Sequence, residues 1–372
     1  MVYTFARRID WLLLVLVLPL VGAGLVTMKT LGGGSDYFFL NQITWLAVGI
    51  GVFLLFSVLD WEFLKRSMVL VIFYGVGIGL LLFLLMRAPA VRGAASWISF
   101  SGITLEPSDP MKLILILLLA KYFSRRHIEI ARARHVIISG LYAAVPMFLV
   151  LLQPDFGSAM IIGALWLGMI LVSGVKKRQL LVLLLLGAIL FAVGWGVFLE
   201  PYQKLRIRTF LDPFTDPQGA GYNALQSVVA VGSGQLFGKG VGFGAQSRLG
   251  FLPEHETDFM FAAFAEEWGL VGVTVLFSFF GFLLARILSY ALRGKDNFER
   301  LFAVGVAVLI VAHVVIHAGM NVGLLPITGI SLPFLSYGGS HLVTLFAALG
   351  ILASFGQEQT IFSRREAWQK EW

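Results

Sequence analysis

Four short polar groups interrupt a predominantly apolar sequence, and each carries residues that can manage charge or protons. They are residues 107–112 (Pro-Ser-Asp-Pro-Met-Lys), 153–158 (Gln-Pro-Asp-Phe-Gly-Ser), 253–258 (Pro-Glu-His-Glu-Thr-Asp) and the loop 325–340, which holds Ser336. Asp109 and Lys112 are three apart, so on a helix they share a face and can pair. Two roles fit that pair: a structural bridge, or a Lys112 ammonium offered to an anionic substrate group. Asp155 follows a proline and precedes an apolar run, the place of a helix-capping carboxylate. Asp258 also opens an apolar run, with Glu254, His255 and Glu256 crowding it. Like charges and partial burial raise a carboxylate above its reference pKa of about 3.9, toward the range useful to a general base. Asp258 is therefore the candidate base, and N-terminal capping shared with Thr257 is the alternative role.

Three other patterns promise less. Glycines at 232, 234, 238, 240, 242 and 244 around Lys239 suggest a phosphate cradle, but Ser233 and Gly240 stand where a P-loop requires Gly and Ser or Thr. A flexible loop is expected there. His313 and His317 share a helical face without a third ligand nearby, which favours packing or interhelical hydrogen bonding over metal binding. Glu266 and Glu267 fall inside an apolar run, so at least one must face the protein interior or water.

The elements that position these groups have lipid as their solvent. The 372 residues are 58% hydrophobic and 13% charged, against about a quarter charged in soluble domains. With a mean hydropathy of +0.86, this excludes a water-soluble enzyme. The 41 glycines suit close helix approach, and the absence of Cys excludes a disulfide scaffold, a thiol nucleophile and an iron–sulfur site.

Ten apolar runs approach the length of about 20 residues that crosses a bilayer. They cover 11–27, 42–59, 68–86, 107–122, 136–152, 156–173, 179–199, 259–286, 301–323 and 341–357. The first follows Arg7 and Arg8 and is expected to be a retained helix, not a signal peptide. With the N-terminus inside, 19 of the 28 Lys and Arg fall on the cytoplasmic side and 8 outside, Lys112 lying within a helix. That asymmetry predicts both termini in the cytoplasm and turns the net charge of +7 into a topology signal, with no nucleic-acid partner implied. In this topology all four polar groups fall at outer helix ends. Residues 200–257 form one long external connection inside a single domain spanning 1–372, and 222–231 is expected to be a short interfacial helix.

The motifs resemble one family. Residues 252–262 (Leu-Pro-Glu-His-Glu-Thr-Asp-Phe-Met-Phe-Ala), 323–330 (Gly-Leu-Leu-Pro-Ile-Thr-Gly-Ile) and 333–340 (Pro-Phe-Leu-Ser-Tyr-Gly-Gly-Ser) resemble the signatures of the SEDS membrane glycosyltransferases of shape, elongation, division and sporulation. Residues 107–112 and 153–155 extend the match in the family's order. Residues 246–251 (Gln-Ser-Arg-Leu-Gly-Phe) are more similar to the elongation branch than to the division branch. Two departures stand out: Glu106-Pro107-Ser108-Asp109 where the family has Gln-Pro-Ser-Glu, and Ser96-Trp97 where it has Arg-Trp.

The resemblance implies an all-α fold of ten transmembrane helices with one long extracellular loop, in the bacterial plasma membrane. It implies polymerisation of lipid II into glycan strands at the outer face, beside a class B penicillin-binding protein and other membrane proteins of the elongation complex. Asp258 would then be the base. Lys112, backed by Arg206 and Arg208, would meet the leaving diphosphate, and Asp109, Asp155, Glu254 and Ser336 complete the implied substrate-binding set. A divalent cation, Mg or Mn, would share the anionic load, although no ligand set for it is legible. Two other functions suit such a chain: a flippase for the lipid-linked precursor, which needs polar groups in both membrane halves, and a non-catalytic scaffold that activates a partner synthase.

Overall fold

A computed structural model describes residues 9–31, 36–87, 97–100, 103–125, 133–197, 201–217, 219–252 and 254–370. Ser96, Pro253 and the inside cations Arg7, Arg8, Arg126 and Arg132 lie outside the described residues. Thirteen α-helices dominate the described residues: α1 (Trp11–Leu31), α2 (Tyr37–Val58), α3 (Ser67–Arg87), α4 (Ser108–Ser124), α5 (Ala133–Leu152), α6 (Phe156–Val172), α7 (Lys177–Val197), α8 (Pro201–Leu211), α9 (Ala220–Ser233), α10 (Ala245–Arg248), α11 (Met260–Arg293), α12 (Asn297–Asn321) and α13 (Gly339–Lys370). Each of the ten apolar runs falls on one of these helices. Eight helices are long and apolar enough to cross a membrane, whereas α4 and α6 have 17 residues each. The molecule is a multi-pass membrane protein.

One element departs from the all-α expectation. Strands β1 (Ile98–Phe100) and β2 (Ile103–Leu105) pair antiparallel, Ile98 opposite Leu105, immediately before α4. The hairpin leads Glu106 into the start of that helix.

The bundle is organised around α12, which packs against α4, α6 and α11, while α13 packs on α2. Burial differs between spans: 72% of the α13 span and 56% of the α12 span are buried, and none of the α7 span. Helix starts are set by side-chain caps. Asp155 accepts from Ser158 N at 2.9 Å, and Asp296 accepts from Glu299 N at 3.0 Å while Glu299 accepts from Lys295 N at 2.9 Å. Lys65, in the 3-10 turn Glu62–Lys65, bridges Asp296 and Glu299 at 3.1 and 2.9 Å. Burial opposes its charge, yet the two carboxylates hold the ammonium above its ordinary range.

In the described part of the long connection a helix covers the expected 222–231 as α9, with α8 and α10 beside it. Its glycine run is not the flexible loop expected from the sequence. It docks on α11 at a break: Gly269 has φ 63° and ψ −168° inside the helix. Lys239 N and Gly240 N donate to the carbonyls of Glu266 and Glu267 at 2.9 and 3.0 Å. Leu270 N and Val271 N donate to those of Gln235 and Leu236 at 2.9 and 3.0 Å. The loop thus replaces helical bonds that the break removes, as buried backbone groups in lipid require. Glu266 and Glu267 complete the seam. Both are buried, Glu266 accepting from Gln246 N, Ser247 N and Ser247 Oγ, and Glu267 from Gly242 N and Thr30 Oγ1.

Candidate active site

The four polar groups converge at one end of the bundle. Pro107 starts α4, which carries Asp109 and Lys112 on its first turn, both buried to within 4% of full exclusion. Lys112 Nζ donates to Asp109 Oδ1 at 3.0 Å and to Ser158 Oγ at 3.2 Å. His341, at the start of α13, brings Nδ1 within 3.5 Å of Asp109 Oδ1, and its ring lies 4.5 Å from that of His313. His313 is therefore coupled to His341 rather than to His317, whose Nδ1 bonds the Ile330 carbonyl at 2.7 Å. His313 Nδ1 likewise bonds the Leu309 carbonyl, at 2.8 Å.

Asp258 ends a turn that precedes α11. The Glu254 backbone is left-handed (φ 47°), so its carbonyl accepts from Thr257 N and Phe259 N at 3.1 and 3.2 Å. Asn321, at the end of α12, fixes the other side: its Nδ2 donates to the Asp258 carbonyl at 3.1 Å and its Oδ1 accepts from Ala262 N at 3.2 Å. The 325–340 loop closes over this turn. Gly329 is left-handed (φ 74°), and a Cβ there would lie 3.5 Å from Asp258 Oδ2, so the loop backbone runs against the carboxylate.

Two connected cavities result, of about 290 and 350 Å³. Asp258, Thr257, Glu254, Glu106, Asp109 and Trp97 line both. Lys112, Asp155, Ser158, Arg206 and His313 line the larger, and His341 the smaller. Six of the eight residues expected from the sequence thus meet at one place. Two do not. Ser336 is buried away from the cavities, its hydroxyl donating to the Thr257 carbonyl at 2.9 Å and accepting from Leu332 N at 3.0 Å, so it holds the loop rather than a substrate. Arg208 lies exposed on α8 outside both cavities, whereas Arg206 reaches the larger one.

Glu106, noted in the sequence only as a departure from the family's Gln, also belongs to the site. Its Oε1 accepts from Ser108 Oγ at 2.5 Å and from Ser158 Oγ at 3.2 Å. Burial first, then Asp109 and Asp155, push its carboxyl up to about 8, against the pull of Lys112 and Ser108. At the turn, burial works against ionisation of Glu256, yet its bond with His255 (3.2 Å) leaves it below the ordinary range. Among the described residues no group of three His, Asp or Glu is arranged to hold a metal ion. The site presents a carboxylate, a buried ammonium and a guanidinium around one water-accessible volume. That combination can accept a proton and hold an anion at the same time.

The chain matches the FTSW_RODA_SPOVE cell cycle protein family over residues 5–361. It is 36% identical to the peptidoglycan glycosyltransferase MrdB of Escherichia coli (strain K12), over 73% of this chain and 74% of that protein. A chain from a peptidoglycan synthase complex that coordinates polymerization and crosslinking superposes with a TM-score of 0.80 at 31% identity, covering 94% of this chain and 98% of that one. The rod shape determining protein RodA of Thermus thermophilus superposes with a TM-score of 0.70 at 29% identity, covering 94% and 97%. The chain belongs to the FtsW/RodA/SpoVE family, the SEDS proteins, and is RodA-like within it.

Proposed function

We propose that this protein is a peptidoglycan glycosyltransferase that polymerises lipid II at the outer face of a bacterial plasma membrane during cell elongation. One observation carries the reading: Asp258 lines the same cavity as Lys112 and Arg206. Growing a β-linked strand from an α-linked diphospholipid inverts the anomeric carbon. A base must take the proton of the acceptor 4-hydroxyl while the diphosphate leaves from the opposite face. Asp258 takes that proton, and its position is held by Asn321 through the backbone. Lys112 and Arg206 receive the charge that develops on the diphosphate, and Asp155 and Glu254 line the volume around the reacting sugars.

The oxygen-rich wall suits a hard divalent cation such as Mg or Mn. Asp155 would be its protein ligand, the remainder coming from the diphosphate, and its chemistry would be to neutralise the leaving group. The helices α4 and α6 bring the proposed number of crossings to ten, with both termini in the cytoplasm and the cavities outside. By analogy with the synthase complex above, the partner is a crosslinking enzyme of the class B penicillin-binding type, with other membrane proteins of the elongation complex alongside. A flippase would carry polar groups through both halves of the bilayer, whereas the expected site residues cluster at one end.

The test is purified protein with lipid II, scored for glycan strands. Asp258→Asn should lower the rate by about 10²- to 10⁴-fold with folding intact. Strand formation at near wild-type rate by that variant would remove Asp258 from the mechanism and favour the scaffold role.

A further inference from the structure

Among the described residues, a cavity meant for a diphosphate is lined by five carboxylates, Glu106, Asp109, Asp155, Glu254 and Asp258, against two cations, Lys112 and Arg206. Such an excess repels the substrate, and either a bound cation or the loss of a carboxylate's charge reduces it. The candidates differ in their bonding. Asp109 is paired with Lys112 at 3.0 Å, Asp155 caps α6 through Ser158 N, and Asp258 must be ionised to act as base. Glu106 has no cation within ion-pair distance among the described residues, because the Lys112 ammonium is directed to Asp109 and Ser158.

The oxygens of Glu106 are also unequal. Oε1 takes both serine hydroxyls. Oε2 has no donor among the described residues, and it is not sealed off with the buried unpartnered atoms. A proton on Glu106 therefore sits on Oε2, facing the two cavities that the residue lines. We propose that Glu106 works as a neutral carboxylic acid whose Oε2–H donates a hydrogen bond to the lipid diphosphate. No bond to carbon or phosphorus changes at Glu106, so it is a binding and positioning residue beside the reaction. The inference rests on the polymerase reading and adds to it a group that touches the leaving diphosphate.

Every element around Glu106 agrees with this assignment. Asp109 faces it from α4, Asp155 from the start of α6, and Asp258 and Glu254 from the turn before α11, all disfavouring a further negative charge. Lys112 on α4 and Arg206 on α8 oppose them, and His341 on α13 and His313 on α12 complete the surround. The carboxyl titrating near 8 is consistent with that balance.

The consequence is an alkaline limit. As pH rises through about 8, Glu106 loses its donor proton and becomes another negative charge turned toward the diphosphate. Glu106→Gln keeps the shape and offers an amide N–H that does not ionise. Each protein's strand-forming rate is read relative to its own value at pH 7. At pH 9 the wild-type rate should have fallen to about a tenth, the fraction that one pH unit leaves protonated, while the variant keeps its rate. A second measurement needs no variant: the wild type should bind a polyprenyl diphosphate about tenfold more weakly at pH 9 than at pH 7.5. A Glu106→Gln profile that falls in parallel with wild type, or wild-type binding that is flat over that interval, overturns the proposal. Absence of strands from the wild type at every pH overturns the polymerase reading instead.

Discussion

At the scale of single residues, Lys112 and Arg206 are both cations of the larger cavity, but their surroundings separate them. Lys112 is 3% exposed, so water screens its field far less than that of Arg206 at the rim. We expect Lys112→Ala to lower kcat/KM for lipid II more than Arg206→Ala does, with Lys112→Arg a partial rescue because a planar fork replaces a compact ammonium. Equal and mild losses would reduce Lys112 to one half of a bridge with Asp109. Arg206 sits on the long connection, without that signal, whereas Lys112 was legible in the sequence because a charge within an apolar run is costly and stands out against its neighbours. Glu106 and His341 were not, for the opposite reason. Each lies next to glycine, proline or serine at a helix entrance, where a polar residue is ordinary, and only the fold turns them toward Asp109. Ser336 misled because a hydroxyl in a signature motif fits substrate contact and backbone tethering equally well. Its two backbone bonds decide for tethering.

At the scale of elements, the broken α11 is the most demanding local structure. The Gly269 backbone lies in a region that is essentially reserved for glycine, and a Cβ there would meet Gly238 N at 2.3 Å. Gly269→Ala should therefore destabilise the protein by about 1–3 kcal/mol. In detergent the variant should unfold at lower temperature, and its 234–248 segment should be cut faster by protease. Gly281→Ala, on the same helix with open space around it, is the control and should be neutral or slightly stabilising. Equal behaviour of the two variants would mean that the loop seam adds nothing to stability. The helices themselves were readable from hydropathy, since length and apolarity are one-dimensional properties. The seam was not, because the glycine run and the break lie about 30 residues apart and acquire meaning only when their backbones meet. The β-hairpin was missed likewise: three-residue strands leave too short a pattern to register.

At the scale of the whole molecule, the expected orientation places the cavities outside, and the Cys-free chain makes this testable. Leu249→Cys, exposed on the long connection, should react with a membrane-impermeant thiol reagent added to intact cells, and Lys177→Cys, at the start of α7, should not. The reverse pattern would put Asp258 in the cytoplasm and end the external polymerase reading. Charge asymmetry alone predicts this sidedness, whereas the range of burial from α13 and α12 to α7 depends on contacts that no single helix encodes. The α11 break also divides the helix into two independent phases. Its first stretch is pinned by loop and carboxylate seams, while the 24 residues of 270–293 run on for about 36 Å at 1.5 Å each. A residue inserted in that lower stretch would rotate the rest of α11 by about 100°, and the aim of Asp258 survives it where the connection to α12 takes up the turn, because Asn321 on α12 holds the Asp258 carbonyl. Inserted above the break, the same residue would turn the base away from its cavity. The molecule can thus be fitted to a thicker or thinner bilayer, one whole turn at a time, without retuning its chemistry.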